Sequence, residues 1–390
     1  MHQNDEILSF EATFGECNEA RVIEWLDHFE KAPFGIKKES DEEKVNLALF
    51  HFLIKRTIAE TRWDYPDILK YTNARDAYEL SFKGHGLSLS NHYWYKKEGE
   101  DLRYEDINFF TNKWDDGFAR AVLRGDYQSL QNVSLNVPDI VTCGWAVKGW
   151  LSEEDGPRLY KMGIAKDQYE ETLAEVLCSD LAKRMFKNND FWEYQLREIY
   201  GKYASASKVI IGIDEELIPL SVIIPNDISA LYRIKNQDRT ADEEFFARLS
   251  KIDIPGIYER FVKLACWRSL CFANDLHFDN LSAIRDNKTG KIRLAPVFDF
   301  GGAFGSGKTG KGFLSHINAA TYLLVYFSFG GLNPDWDYSW YDGERLNGFE
   351  EDIREMLSKS DFYTPELIDN IIGVYLYQKA TLDELAQGKK

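Results

Sequence analysis

The feature that most constrains this chain is a pair of short motifs set on either side of a hairpin. Asn274-Asp275-Leu276-His277-Phe278-Asp279-Asn280 follows a segment, residues 257–272, whose apolar spacing reads as a helix with Phe261, Leu264, Ala265 and Trp267 inward. Residues 281–284 and 292–298 then read as two strands around the turn Asp286-Asn287-Lys288-Thr289-Gly290. The second strand ends in Ala295-Pro296-Val297-Phe298-Asp299-Phe300-Gly301. Helix, polar loop, hairpin and strand-end aspartate follow one another between residues 257 and 299.

Such a sequence of parts suits phosphoryl transfer. That reaction needs an acidic group to orient or deprotonate the attacking hydroxyl, oxygen ligands that hold Mg²⁺ against the phosphates, and a lysine to neutralise them. Asp275 fits the first role, and Asn280 and Asp299 the second. His277 either orients the loop by hydrogen bonds or is an ordinary structural histidine. Upstream, Thr142-Cys143-Gly144-Trp145-Ala146-Val147-Lys148-Gly149-Trp150 offers a turn in which Gly144 lets backbone amides approach phosphate, with Lys148 beside it. Lys161 lies on the following strand, and Glu175 sits early on the next helix, where it can pair with Lys161. Each feature alone has a plainer reading: a polar turn, a surface hairpin, a solvated lysine, a helix-face glutamate. Their joint order favours the chemical one.

Bulk properties bound the rest. At 390 residues the chain is long enough for two or three lobes, and its 44% hydrophobic and 14% aromatic content supports a large core. A net charge of −17 argues against general nucleic-acid binding, which draws its affinity from Lys and Arg on phosphates. The five cysteines form no CxxC pair or zinc-finger spacing and read as buried thiols of a reducing compartment. The first residues, MHQNDEILSF, lack the pattern of a signal peptide, and no window is apolar for long enough to span a membrane. A cytoplasmic location is expected.

Along the chain, residues 1–125 read as a mixed α/β extension, with helices over 20–31 and 43–58 and an extended stretch over 87–95. Residues 101–114, rich in aromatics and acids, suit a docking surface or connector. Residues 126–226 read as a small β-rich lobe: a turn at 153–157, a strand over 158–162, a helix over 170–186 and β-rich runs over 208–213 and 217–224. On that helix Leu173, Val176, Leu177, Leu181 and Met185 share one face. Residues 227–390 read as mainly helical, including 349–357 and 365–385.

Taken together, these segments resemble the HipA-like serine/threonine kinases of bacterial toxin–antitoxin systems. Gly86–Trp94 and Tyr104–Phe110 resemble the N-terminal part of one branch, Val141–Trp150 its phosphate loop, Asn274–Asn280 its catalytic loop and Ala295–Asp299 its metal strand. The resemblance spans most of residues 80–300. It implies an α+β, two-lobed protein-kinase-like fold with a small β-rich N-lobe, a mainly helical C-lobe and the N-terminal extension. It further implies ATP and Mg²⁺ as cofactors, Asp275 as base, Asn280 and Asp299 as metal ligands, Lys161 on the phosphates, and Val209 and Ile211 at the adenine edge. The implied partners are a protein substrate with a Ser or Thr hydroxyl and a separate antitoxin-like regulator. Self-phosphorylation at Thr142 or Ser152, beside the phosphate turn, would place about −1.5 to −2 charge there and displace it. The loop lacks the Arg of H-R-D and the turn lacks a full G-x-G-x-x-G, and Trp145 and Trp150 crowd that turn.

Three rivals stand beside this reading. Gly302-Ala303-Phe304-Gly305-Ser306-Gly307-Lys308-Thr309 satisfies the P-loop pattern, although Gly310 and Gly312 disfavour the helix that should follow. Small-molecule kinases of the aminoglycoside and choline type share the Asp275 and Asp299 motifs, and an acidic surface suits their cationic substrates. The third is a nucleotide-binding module without activity.

Overall fold

In a computed structural model the described residues are all except 16–18, 143, 164–169, 187–189, 235–238, 274–277, 279, 307–331 and 389–390. Among them is a small antiparallel lobe joined to a mainly helical portion, with a mixed segment in front. The front segment opens with the antiparallel pair β1 (Leu8–Thr13) and β2 (Glu19–Trp25). Next come α1 (Glu42–Ile54), α2 (Tyr65–Thr72), α3 (Ala77–Lys83), the short α4 (Tyr104–Ile107) and α5 (Gly117–Arg124). Side-chain caps start two of these helices: Asp41 accepts from the Glu43 amide and Asp76 from the Glu79 amide.

The small lobe is a four-stranded sheet in the order β3-β4-β6-β5. Its strands are β3 (Val147–Glu153), β4 (Gly156–Met162), β5 (Gln195–Ile199) and β6 (Lys202–Lys208). One face carries Val147, Leu151, Tyr160, Met162, Ala204 and Ala206 into a core shared with Phe118 and Val122 of α5. Gly149 allows that approach, because a Cβ there would lie 2.9 Å from the Ala119 Cβ. The opposite face carries Lys148, Lys161 and Ser205, which the register sets side by side: Lys148 opposite Lys161, and Lys161 opposite Ser205. Between β4 and β5 runs α6 (Glu170–Met185), with acids in its first turn and Lys183 and Arg184 in its last, as the helix dipole favours.

After β7 (Glu215–Pro219) come α7 (Leu220–Ile223), α8 (Asn226–Ile234), α9 (Arg239–Leu249) and α10 (Ile257–Cys271). A hairpin of β8 (Ser282–Asp286) and β9 (Ile292–Leu294) extends β7 into a three-stranded sheet, and α11 (Phe349–Leu357) and α12 (Pro365–Gln387) complete the helical portion. The largest core cluster joins α6, α10, α11 and α12 around Trp267, Phe300 and Tyr375.

Several local expectations fail for physical reasons. Residues 20–31 are not a helix: β2 pairs with β1, Ala20 is buried and Val22 half-buried, Arg21 and Ile23 stay exposed, and a 3-10 turn follows at Phe29–Lys31. Residues 87–95 form no strand; their backbone is held instead by the buried Arg56 guanidinium, which donates to the carbonyls of Gly86 and Tyr93 and to Asn91 Oδ1. Residues 209–213 are a loop, and the strand lies just upstream in Ala204-Ser205-Ala206, whose small residues carry little strand propensity but fit under α5. The run 217–224 divides at Pro219 between a strand and a helical turn. Residues 101–114 turn inward, where Tyr104 and Phe109 pack with Leu87, Leu89 and Trp94. Ala265 is half-buried on α10 rather than at its core.

Candidate functional site

Lys161 projects from β4 between two carboxylates brought from distant parts of the chain. Its Nζ donates to Glu175 Oε1 at 2.8 Å and to Asp299 Oδ1 at 2.6 Å. Burial alone would lower the pKa of this ammonium, but Asp299 and Glu175 overcome it and hold the value well above that of an ordinary lysine. Glu175 is buried on α6, and its Oε2 accepts a hydrogen bond from the Ser205 hydroxyl. The Asp299 side chain keeps 43% exposure, so it meets solvent as well as the lysine.

The segment carrying Asp299 is fixed from behind. Phe300 is buried against Trp267, Phe191 and Tyr194, with ring centroids 5.1, 5.9 and 5.5 Å away. Asp299 itself has φ +66, a left-handed conformation that costs a non-glycine residue roughly 1–3 kcal/mol unless its surroundings impose it. Its N–H donates to the Tyr194 hydroxyl at 3.1 Å. Glu171, four residues before Glu175, lies behind Gly301, with its Oε2 3.5 Å from where a Cβ on that glycine would stand. Burial pushes the Glu171 carboxyl up to about 8; Lys161 opposes the shift, and the charges of Asp299, Glu175 and Glu170 add to it.

The turn ahead of β3 is braced by the front segment. Gly144 has φ +89, and a Cβ on it would lie 2.9 Å from Lys148 Nζ, so the buried Lys148 reaches back beneath the turn. Arg62 holds both ends of the turn: it donates to Thr142 Oγ1 and to the Lys148 carbonyl, each at 3.1 Å. The same guanidinium pairs with Asp64 at 2.7 and 3.1 Å, and both side chains are fully buried. The Thr142 hydroxyl also donates to the Asp139 carbonyl at 2.8 Å, so phosphorylation there requires the turn to leave this network first. Ser152 lies in the open, its hydroxyl donating to Asp116 Oδ1 at 3.1 Å. Asp139 accepts from the Trp150 amide at 2.8 Å; burial raises its carboxyl to about 7 against the pull of that amide and of Arg62.

The structure thus brings Lys161, Glu175 and Asp299 into contact and sets Lys148 on the same sheet face under Gly144. Asn280 is half-buried in the turn that enters β8. Asp275 and His277 lie outside the described residues; the buried Phe278 beside them packs on Phe261, and its carbonyl accepts from the Ser221 amide at 3.1 Å. Ile211 is buried with Ile284 and Ala295, while Val209 packs between that cluster and the aromatic group of Trp94, Tyr104 and Phe109. Lys308 and Thr309 also lie outside the described residues. In the part of the P-loop-like stretch that is described, the Ala303 amide donates to Ser306 Oγ, the Phe304 amide to the Cys271 carbonyl and the Ser306 amide to the Ala303 carbonyl. Those three amides are already spent on protein acceptors and are unavailable to cradle a phosphate.

Sequence reasoning missed Tyr194, Ser205, Glu171 and Arg62. Only Glu171 carried a usable signal, since Glu171 and Glu175 sit at i and i+4 on one helix face. Among the described residues no group of three or more His, Cys, Asp or Glu side chains is placed to hold a metal ion. Magnesium bound with a nucleotide does not require one: it takes one or two protein oxygen ligands and completes its shell with phosphate and water. A half-exposed Asp299 carboxylate and an Asn280 amide suit that demand. No described helix is long and apolar enough to cross a membrane.

No family model and no curated protein sequence matches this chain. Solved structures do. HipA of the Shewanella oneidensis MR-1 toxin–antitoxin system, determined with HipB and its operator DNA, aligns over 99% of this chain and 98% of its own, with TM-score 0.50 and 11% identity. The Helicobacter pylori proinflammatory kinase CtkA aligns over 62% of this chain and 93% of its own, with TM-score 0.42 and 11% identity. The chain shares the fold of this HipA along nearly its whole length.

Proposed function

We propose that this chain is an ATP-dependent phosphotransferase, a HipA-like protein kinase that moves the γ-phosphoryl group of ATP to a serine or threonine hydroxyl. The observation that carries the reading is the Lys161 ammonium held between Glu175 and Asp299. A lysine is a flexible point charge, and a buried glutamate on one side gives it a fixed position. An ammonium has three donors; among the described residues Glu175 and Asp299 take two, leaving one for a phosphate oxygen. Glu175 is itself held by Ser205, so the charge-neutralising group is placed before any nucleotide arrives.

In this reading residues 1–125 are an extension that braces the phosphate turn, 126–226 the smaller lobe and 227–390 the larger. Gly144 and Lys148 face the phosphates, Val209 and Ile211 lie at the base edge, and Asn280 and Asp299 hold Mg²⁺, which supplies charge neutralisation on the phosphates when bound. Asp275 accepts the hydroxyl proton as the phosphoryl group transfers, with His277 supporting its loop. The protein would act in the cytoplasm. HipA was solved with HipB, which motivates a separate antitoxin-like regulator here, and the net charge of −17 argues against general nucleic-acid binding by this chain itself.

The test is transfer of γ-labelled phosphate in the presence of Mg²⁺ to a mixture of bacterial proteins and to a panel of small amino alcohols. Label on protein Ser or Thr is expected with the native chain. Asp275→Asn should lower it by about 10²–10³ while ATP still binds. Label confined to the small cationic alcohols would move the chain to the small-molecule kinases, and undiminished transfer by Asp275→Asn would remove Asp275 from the mechanism.

A further inference from the structure

Lys161 can touch Glu175 and Asp299 together only if α6 and the strand-end loop stand at the right separation, and the lysine is too flexible to set that distance. Another residue spans the same gap. The Tyr194 amide donates to Ser179 Oγ at 3.0 Å, and Ser179 sits one turn beyond Glu175 on α6. The Tyr194 hydroxyl accepts the Asp299 N–H at 3.1 Å. Its ring packs edge-on against Phe300, and the whole side chain is 5% exposed. One rigid residue therefore grips the helix that carries Glu175 and the backbone of Asp299, at a point where that backbone is left-handed.

We infer that Tyr194 is a positioning residue for the proposed phosphoryl transfer: its hydroxyl holds Asp299 in the conformation that aims the carboxylate at Lys161 and at the metal position. The inference rests on the kinase reading and adds to it a residue outside the nucleotide and metal contacts. The effect is specific to one atom. Without the hydroxyl, the ring still fills its place against Phe300, but the Asp299 N–H loses its bond to Tyr194 and the left-handed backbone loses that tether. Lys161 keeps Glu175, so the upstream half of the site is unchanged.

Tyr194→Phe tests this with two readouts. The first needs neither metal nor nucleotide: hydrogen exchange at the Asp299 amide should accelerate at least tenfold, with the thermal midpoint and the exchange of α6 as in the native chain. The second is ATP affinity by calorimetry across a Mg²⁺ series. Loss of an outer partner of a metal ligand typically weakens metal affinity about 10–100-fold. The Mg²⁺ concentration needed for tight ATP binding should rise by that factor, while metal-free ATP affinity stays the same. Unchanged exchange at Asp299, or an unchanged Mg²⁺ requirement, overturns the inference. Should Tyr194→Phe melt too early to measure, Ser179→Ala cuts the other end of the same link and must raise the Mg²⁺ requirement in the same direction. Asp299→Asn separates the two levels of argument. If it too leaves the Mg²⁺ requirement unchanged, the kinase reading fails; if it raises the requirement and Tyr194→Phe does not, only the role of Tyr194 fails.

Discussion

Lys161→Ala is expected to lower ATP turnover by about 10²–10³, while Lys308→Ala leaves it near the native value. The first change removes the ammonium held between Glu175 and Asp299, and with it the charge that would balance the phosphates in the proposed function. It also leaves Glu175, whose side chain is 2% exposed, as a buried carboxylate with the Ser205 hydroxyl as its remaining partner among the described residues. Turnover should therefore be normalised to the folded fraction. Arginine is no substitute, because its planar fork cannot take the place of a compact ammonium between two carboxylates. The P-loop reading requires the reverse pattern, with Lys308 essential and Lys161 incidental. The internally bonded amides of Ala303, Phe304 and Ser306 argue against that pattern.

Arg62→Ala should destabilise the chain by about 3–5 kcal/mol, the usual cost of breaking a buried ion pair from one side. The guanidinium makes four hydrogen bonds in a fully buried setting, two to Asp64, one to Thr142 and one to the Lys148 carbonyl. Its removal would leave Asp64 with the Tyr127 hydroxyl at 3.4 Å as its remaining described partner. Lysine cannot restore the geometry, since a point charge does not reproduce a bidentate fork. Thr142→Val, which deletes one arm of the network and nearly keeps the shape, should cost about 1–3 kcal/mol. Denaturant unfolding measures both. An Arg62→Ala chain within about 0.5 kcal/mol of the native one would mean the network contributes nothing, as at an ordinary surface site.

The parts of this architecture that the sequence discloses are the locally encoded ones. The α6 helix shows in its apolar stripe, the β3–β4 hairpin in Glu154-Asp155-Gly156, the β8–β9 hairpin in its polar turn, and α11 and α12 in their periodicity. A lysine on a strand followed by a glutamate on the next helix makes their meeting readable as well. What escapes is set by long-range contact. Nothing near Tyr194 indicates that its hydroxyl will meet an amide 105 residues later, and nothing near Arg62 points to Thr142, 80 residues on. The strand through Ala204-Ser205-Ala206 is hidden because small residues look indifferent until α5 and Glu175 are seen on its two faces. Residues 20–31 mislead because their apolar positions fit a helical period about as well as the alternation that pairing with β1 selects.

The central claim is that nucleotide phosphates bind where Lys161, Glu175 and Asp299 converge. A crystal structure of the chain with Mg²⁺ and a non-hydrolysable ATP analogue tests it most directly. The account predicts a phosphate oxygen within hydrogen-bonding distance of Lys161 Nζ, the metal on Asp299 and Asn280, and the base beside Val209. An analogue whose phosphates lie along Gly302–Thr309, away from Lys161, would contradict it.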